Sequence, residues 1–318
     1  MKILGVDMGG SGVKLAIADA GRVEEFRTVR VRRGAPTIET LRLVEAEARG
    51  MAGMAECVGI GVAYPGIVDT AKRRVVCIND KYTDAADVDF AGWARERFSL
   101  EAILINDAAA ALCGEMAYGA GRGADSAVLM MVGTGVGTAY CGGGRVTTGK
   151  HGAMGILGGH IAISFDKPRR CTCGGLGCLE AYAGTWALPG LAREHPRFEE
   201  SVLKSAERID YRALAAGCEA GDAVCADLLR NAFSALCVGA ANLVRAYDPE
   251  RVILSGGASR IGAMRAAIQE YLDSRCRASW GRVTVNAAEN PDISALLGLS
   301  SLFEERQNEA KEAEEGKR

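Results

Sequence analysis

The chain has 318 residues, 48% hydrophobic and 25% charged, with a formal net charge of −2. That is long enough for two ordinary domains, each able to bury a core. With no charge surplus and no basic block, the composition argues against nucleic acid as a partner and gives no pull toward a membrane surface.

The eleven cysteines form no small disulfide scaffold. Most stand singly in apolar surroundings, such as Cys57, Cys113, Cys141 and Cys237. An odd total fits a reducing compartment. The opening MKILGVDMGG is not a signal peptide, because Asp7 interrupts a very short apolar run. Residues 127–144 carry no charge, but their six glycines make a lipid-spanning helix a poor reading. The expectation is a cytoplasmic protein with no membrane partner.

In chain order, KILGVD (2–7) predicts a buried strand ending in a carboxylate. The glycine turn MGGSG follows, then a second strand, VKLAIAD, and a third, GRVEEFRTVRV. A Rossmann or P-loop phosphate site needs a helix after its glycines. A glycine hairpin can still hold phosphate through N–H groups pointing into the turn. Apolar residues at helical spacing (Ile38, Leu41, Val44, Ala48, Met51) predict a helix over 37–55. CVGIGVAYPG reads as a strand ending at Pro65-Gly66, and a loop follows with Asn79, Asp80, Lys81 and Tyr82. A short helix over 90–99 precedes the strand AILIND (102–107), and AAAALCGEMAYG is helical. Asp107 falls at that helix's N-terminal boundary, where position alone is equally consistent with a plain N-cap.

SAVLMMVGTGVGTAYCGGGRV then echoes the opening ILGVDMGGSGVKLAIADAGRV. Both run strand, glycine turn, strand, glycine and Arg-Val, at Arg22-Val23 and Arg145-Val146. The copies stand on the order of 120 residues apart, about one domain length, so two related α/β domains are expected rather than a solenoid. Residues 199–247 are helix-rich, and Asp248-Pro249 stops the longest candidate helix. RVILSGGAS (251–259) reads as strand, Gly-Gly and helix start. A helix and a closing strand, RVTVNAA, follow. An apolar helix, 294–305, precedes a charged tail that is expected to fray.

The densest chemistry lies in 155–182, GILGGHIAISFDKPRRCTCGGLGCLEAY. Cys171, Cys173 and Cys178 are spaced C-x-C-x4-C, with His160 upstream. Three thiolates and an imidazole make a closed tetrahedral set of the kind a structural Zn²⁺ takes. Gly174, Gly175 and Gly177 let the backbone wrap between ligands. Buried cysteines are often only small hydrophobes, but three in eight residues with glycines between them do not look like core packing.

Together these residues carry a resemblance to the ROK family (repressor, open reading frame, kinase), covering most of 1–303. The matching pieces are DMGGSGVK (7–14), GVAYPGIV (61–68), IND with AAALCGE (105–115), GTGVG (133–137), GGH (158–160), CTCGGLGCLE (171–180) and LSGG (254–257). Singly, the glycine motifs are weak; their order, the duplicated hairpin and the cysteine cluster are specific. The resemblance implies an α/β, two-lobed, actin-like ATPase fold with duplicated domains and a central cleft. The implied lobes are 1–115 with 292–305, and 116–291, with 306–318 as the charged tail.

The implied activity is ATP-dependent phosphorylation of a sugar hydroxyl. Glucose at its 6-hydroxyl is the default, with N-acetylated hexosamines, mannose, fructose or allose open. Asp107 matches the catalytic base. Asp7, as a holder of Mg²⁺, together with Gly9, Gly10, Ser11, Lys14, Gly133, Thr134, Gly135 and Gly137, matches the metal–phosphate site. Lys14 is equally readable as a strand lysine facing solvent. Gly256 and Gly257 match the adenosine pair. Gly66, Asn106, His160 and Glu180 match sugar contacts, and His160, Cys171, Cys173 and Cys178 match the zinc ligands. A homodimer is also implied.

Two departures stand out: Leu157 occupies the place of a family glutamate, and Ala109 that of an asparagine. DMGGSGVK and INDKY (78–82) resemble polyphosphate-using glucokinases, which keeps polyphosphate open as a donor. A repressor of the same family is expected to carry a DNA-binding segment before the first turn, which here starts within ten residues of Met1. A sugar-sensing protein without catalysis is the remaining alternative.

Overall fold

The computed structural model describes residues 1–9, 12–32, 34–77, 82, 84–276 and 281–315. The chain divides into two compact units. The first comprises Met1–Gly123, Arg145–Ile156 and Asp292–Arg318, and the second Ala124–Gly144 and Leu157–Pro291.

In the first unit the strands are β1 (Ile3–Met8), β2 (Val13–Asp19), β3 (Arg22–Val29), β4 (Gly59–Tyr64), β5 (Ile67–Asp69), β6 (Arg74–Cys77) and β7 (Glu101–Asn106). Five of them form a sheet of order β3-β2-β1-β4-β7, and β5 and β6 pair separately. β1 and β2 are antiparallel, whereas β1, β4 and β7 run parallel. Continuous apolar runs are what parallel strands covered on both faces require, and every residue of β4 is buried.

The helices are α1 (Thr37–Arg49), α2 (Phe90–Phe98) and α3 (Asp107–Tyr118). The predicted helix over 37–55 is shorter than its apolar spacing implied. Gly50 caps it, and the chain continues as a 3₁₀ turn at Met54–Glu56. Pro36 before α1 offers no side-chain acceptor. Asp84, distant in sequence, takes over by accepting from the Thr37 N–H and hydroxyl.

The second unit contains β8 (Ala127–Val132), β9 (Val136–Gly142), β11 (Arg251–Ser255) and β12 (Thr284–Ala287), while the short β10 (Arg145–Val146) falls in the first unit. The order β9-β8-β11-β12 repeats β2-β1-β4-β7 of the first sheet, with the same parallel and antiparallel pattern. The duplicated hairpin read in the sequence is therefore a duplicated topology. The helices here are α4 (Glu180–Ala183), α5 (Leu188–Arg193), α6 (Tyr211–Glu219), α7 (Ala223–Tyr247) and α8 (Gly262–Arg275). α7 is long and apolar enough to cross a membrane by length and composition. In this fold its apolar residues, among them Leu228, Leu236 and Leu243, sit in the core of the unit beside Val128, Met130 and Leu254.

The chain then returns to the first unit as α9 (Ser294–Glu315). α9 lies against α3 at very short range. A Cβ on Gly114 would meet the Ser294 carbonyl at 2.0 Å, and one on Gly298 would meet the Ala110 carbonyl at 1.8 Å. The buried Glu115 completes the junction by accepting from the Ser294 hydroxyl and the Ala120 N–H. The charged residues after Phe303 continue as an exposed extension of the same helix.

Gly298→Ala should therefore force α3 and α9 apart. The expected loss is about 2 kcal/mol or more, read as a lower urea midpoint, and an unchanged midpoint would contradict this packing.

Candidate active site

The first unit gathers its predicted residues at one end of its sheet. Asp7 lies near the carboxyl end of β1, paired with Ala63 of β4, and Tyr64 pairs with Asn106 of β7. Asp7, the Pro65-Gly66 turn and Asn106-Asp107 thus follow three adjacent parallel strands at the same edge, where open α/β sheets bind their ligands.

Asn106 and not Asp107 is the N-cap of α3. Its Oδ1 accepts from the Ala109 N–H at 3.0 Å, and its Nδ2 donates to the Gly66 carbonyl at 3.0 Å. Asp107 is instead the first residue of the helix, where its Oδ1 accepts from the Ala108 N–H at 2.8 Å. The capping alternative for Asp107 therefore belongs to its neighbour. Asn106 still keeps one N–H and one lone pair beyond these two bonds. Gly66 has φ +157, and a Cβ there would meet the Cys77 carbonyl at 2.7 Å, so a side chain is excluded.

Lys14 does not simply face solvent. Its ammonium lies 3.9 Å from Asp7 Oδ2 and donates to the Asp292 carbonyl at 2.8 Å. Gly9 is held by the buried Tyr82, whose hydroxyl donates to the Gly9 carbonyl at 2.9 Å. Burial, and then the Asp7 charge, push the Tyr82 hydroxyl up to about 12. In sequence Tyr82 is only a loop residue, because a tertiary contact across 73 positions leaves no local signal. Gly10, Ser11, Asn79, Asp80 and Lys81 lie outside the described residues.

In the second unit, the turn Gly133–Gly135 follows β8, and Gly256-Gly257 follow the adjacent parallel strand β11. Gly256 has φ +83, and a Cβ on it would strike the Val132 carbonyl at 2.5 Å. The turn is clamped from outside. Thr185 N–H donates to Gly133 O, Trp186 N–H to Thr134 O, and Gly133 N–H to Gly135 O. The Thr134 and Gly135 amides are left without a protein acceptor among the described residues. Gly137 differs from its expected place: it lies inside β9, opposite Met131, rather than in the turn.

Glu180, the first residue of α4, accepts from the Val136 N–H at 2.9 Å, from the Trp186 indole N–H at 3.0 Å and from the Thr172 hydroxyl at 3.3 Å. Its carboxylate sits where a Cβ on Gly135 would be, 2.1 Å away.

His160, Cys171, Cys173 and Cys178 converge, with their ligand atoms all within 4.8 Å of one another. Cys173 and Cys178 sulfurs are 3.7 Å apart, and His160 Nδ1 lies 3.6 Å from the Cys171 sulfur. Tetrahedral zinc with Zn–S of about 2.3 Å and Zn–N of about 2.0 Å has edges of about 3.8 and 3.5 Å. The donor set fits Zn²⁺ in type and spacing, and four protein ligands would make it a structural rather than a catalytic ion. Burial, and then the neighbouring thiols, push Cys178 up to about 12. At Cys173 burial acts in the same direction, but hydrogen bonds from the Gly175 N–H and the other two cysteines outweigh it and lower the thiol. Leu157, three residues before His160, is 40% exposed.

The duplicated sheets, with their acids and glycines at the strand ends, define an actin-like ATPase fold. The chain belongs to the ROK family, whose model matches residues 3–306. It is similar to the glucokinase of Thermotoga maritima, 27% identical over 319 residues, covering 96% of this chain and 98% of that one. It also resembles the xylose repressor of Bacillus subtilis, 24% identical over 250 residues, 77% of this chain and 60% of that one. Among solved structures, a ROK family glucokinase from Streptomyces griseus, in complex with glucose and AMPPNP, aligns with a TM-score of 0.78 and 25% identity. It covers 95% of this chain and 99% of that one.

Purified protein is expected to carry one zinc per chain by elemental analysis. Zinc should be lost in Cys171→Ser and released on acidification, because protons compete for the thiolates; a metal-free protein that folds normally would refute the assignment. Tyr82→Phe should cost about 1 kcal/mol at neutral pH. A hydroxyl raised by folding stabilises fully below its unfolded value near 10, and that contribution fades as pH rises through about 12. The wild-type advantage in denaturant melts should therefore shrink across that window.

Proposed function

We propose that the chain is a sugar kinase that transfers the γ-phosphoryl group of ATP to a hexose hydroxyl, with Asp107 as the general base. The 6-hydroxyl of glucose is the first substrate to test. The observation that carries this reading is Asp107 itself. It stands at the carboxyl end of β7, in the parallel part of the sheet, with the helix cap supplied by Asn106 rather than by its own side chain. A carboxylate in that position can take the proton of an attacking hydroxyl.

Phosphoryl transfer asks chiefly for positioning and for donors to the phosphate oxygens. The Thr134 and Gly135 amides have the required chemistry, and Gly256-Gly257 offer the side-chain-free backbone that a flat base needs. Asp7 would hold Mg²⁺ through water, since that ion keeps much of its hydration; Lys14 beside it would share the phosphate charge. Asn106, with its remaining N–H, and Gly66 beneath it would border the sugar. His160 directs Nδ1 into the cysteine cluster, so its Nε2 would remain as a donor for a sugar oxygen. Zinc, when bound, would fix the orientation of His160 and the loop that leads to Glu180.

A second reading, sugar binding without transfer, is favoured by Leu157, an exposed apolar side chain where a carboxylate contact was expected. Similarity to xylose repressors is in keeping with it. An ADP-release screen over hexoses, hexosamines and polyols separates the two, with polyphosphate run as an alternative donor. Turnover on at least one sugar is expected, falling about 10²–10⁴-fold in Asp107→Asn, while sugar binding persists. Turnover near the wild-type rate in that variant would remove Asp107 from the mechanism. Sugar binding without any nucleotide consumption would establish the second reading.

A further inference from the structure

Away from the strand ends, the second unit holds an open cavity of about 430 Å³. Lys167, Arg169, Arg170, Trp186, Gly190 and Glu194 line it. Of these residues only Trp186 touches the site described above, through Thr134 and Glu180; the charged ones have no part in the phosphoryl transfer proposed there. Three cationic side chains and one carboxylate leave a surplus of two positive charges, in a chain whose formal net charge is −2.

The charges are not equivalent. Arg169 forks onto Glu194, at 2.5 Å and 2.9 Å. The Arg169 guanidinium holds the Glu194 carboxyl below its usual range, so that pair stays ionised around neutrality. Lys167 and Arg170 have no acidic partner among the described residues. Both sit on fixed backbone. Lys167 has φ +48 and stands directly before Pro168, a conformation a side-chain-bearing residue adopts at a cost. Arg170 pairs with Leu176 in a β-bridge at the base of the cysteine knuckle, and the Arg169 N–H donates to the Tyr182 hydroxyl at 3.0 Å. Trp186 supplies an aromatic wall and is itself fixed, through its indole N–H on Glu180 and its amide on Thr134. Lys167 and Arg170 are both exposed, so their charged ends are open to a ligand from solvent while their backbone is held.

We propose that this cavity is a binding site for the phosphate group of a small phosphomonoester, held by Lys167 and Arg170 against Trp186. A phosphomonoester carries about −1.5 to −2 charges near neutral pH, which matches the surplus; a single carboxylate would leave one cation unmatched. Arginine forks suit phosphate oxygens, and lysine adds a point charge. The volume lies within the range of small-molecule sites.

Isothermal titration calorimetry at constant ionic strength tests this directly, with two probes: inorganic phosphate and glucose 6-phosphate. Wild-type protein is expected to show a saturable event that the Lys167→Ala/Arg170→Ala double variant binds at least about tenfold more weakly, since two charge-assisted contacts are lost. Equal affinity for the two probes would identify the phosphate alone as the ligand, and tighter binding of the ester would identify the ester; both support the site. No saturable binding of either probe, or undiminished affinity in the double variant, overturns it. Zinc content and urea midpoint monitor the fold of the variant. Should these change, Lys167→Gln alone carries the comparison, with at least threefold weakening expected and unchanged affinity again overturning the site. Because binding is read without turnover, the outcome does not depend on whether the chain proves to be a kinase.

Discussion

A carboxylate that accepts three hydrogen bonds is hard to move, and Glu180 is such a group. Its donors come from the glycine turn after β8, from the cysteine loop and from the indole of Trp186. Each would be a loose surface feature by itself. A turn rich in glycine has little side-chain packing to define it, and a short cysteine loop has little core. Joined at one anion, they restrain one another, and the adjacent carbonyls are fixed by the amides of Thr185 and Trp186.

The first unit solves the same problem with a neutral side chain. Asn106 uses one end of its amide to cap α3 and the other to hold the Gly66 turn. The two units share one topology, yet they place different chemistry at the same end of the sheet. The first has acids, Asp7 and Asp107, beside a bare turn. The second has bare backbone at Gly135 and Gly256, with its acid, Glu180, set back on a helix. The scaffold is shared, and the differences are confined to a few loop positions, with carboxylates at the strand ends of one unit and bare backbone at those of the other.

Much of the fold was legible because its strands are regular. The runs at 3–8 and 127–132, each followed by glycine and a second strand, repeat visibly, and the matching hairpins at the centre of each sheet follow from that repeat. The cysteine cluster was legible because its ligands are local. What stayed hidden depends on contacts far apart in sequence. The cap of α3 fell to Asn106 because only the folded chain shows which side chain reaches the Ala109 amide. Helix α1 stopped early at Gly50, where local backbone preference outweighed the apolar spacing. Tyr82 on Gly9 and Asp84 on Thr37 are pairings that no window of sequence contains. Gly137 looked like part of a turn because a glycine inside a strand reads the same as one at its end.

The junction of α3 with α9 bears on how such a chain is made. At Gly114 and Gly298 the two helices approach Ser294 and Ala110 at distances that admit no side chain. The sheet that emerges first from a ribosome therefore cannot bury this face until nearly all of the second unit has been synthesised. Contacts of such long sequence separation are formed late and at an entropic disadvantage. During that interval the exposed faces of α3 and the first sheet are apolar surface with no partner, the condition under which nascent chains associate wrongly. The order of translation and the order of structural completion run opposite to one another: the half that begins the chain is the half that finishes last.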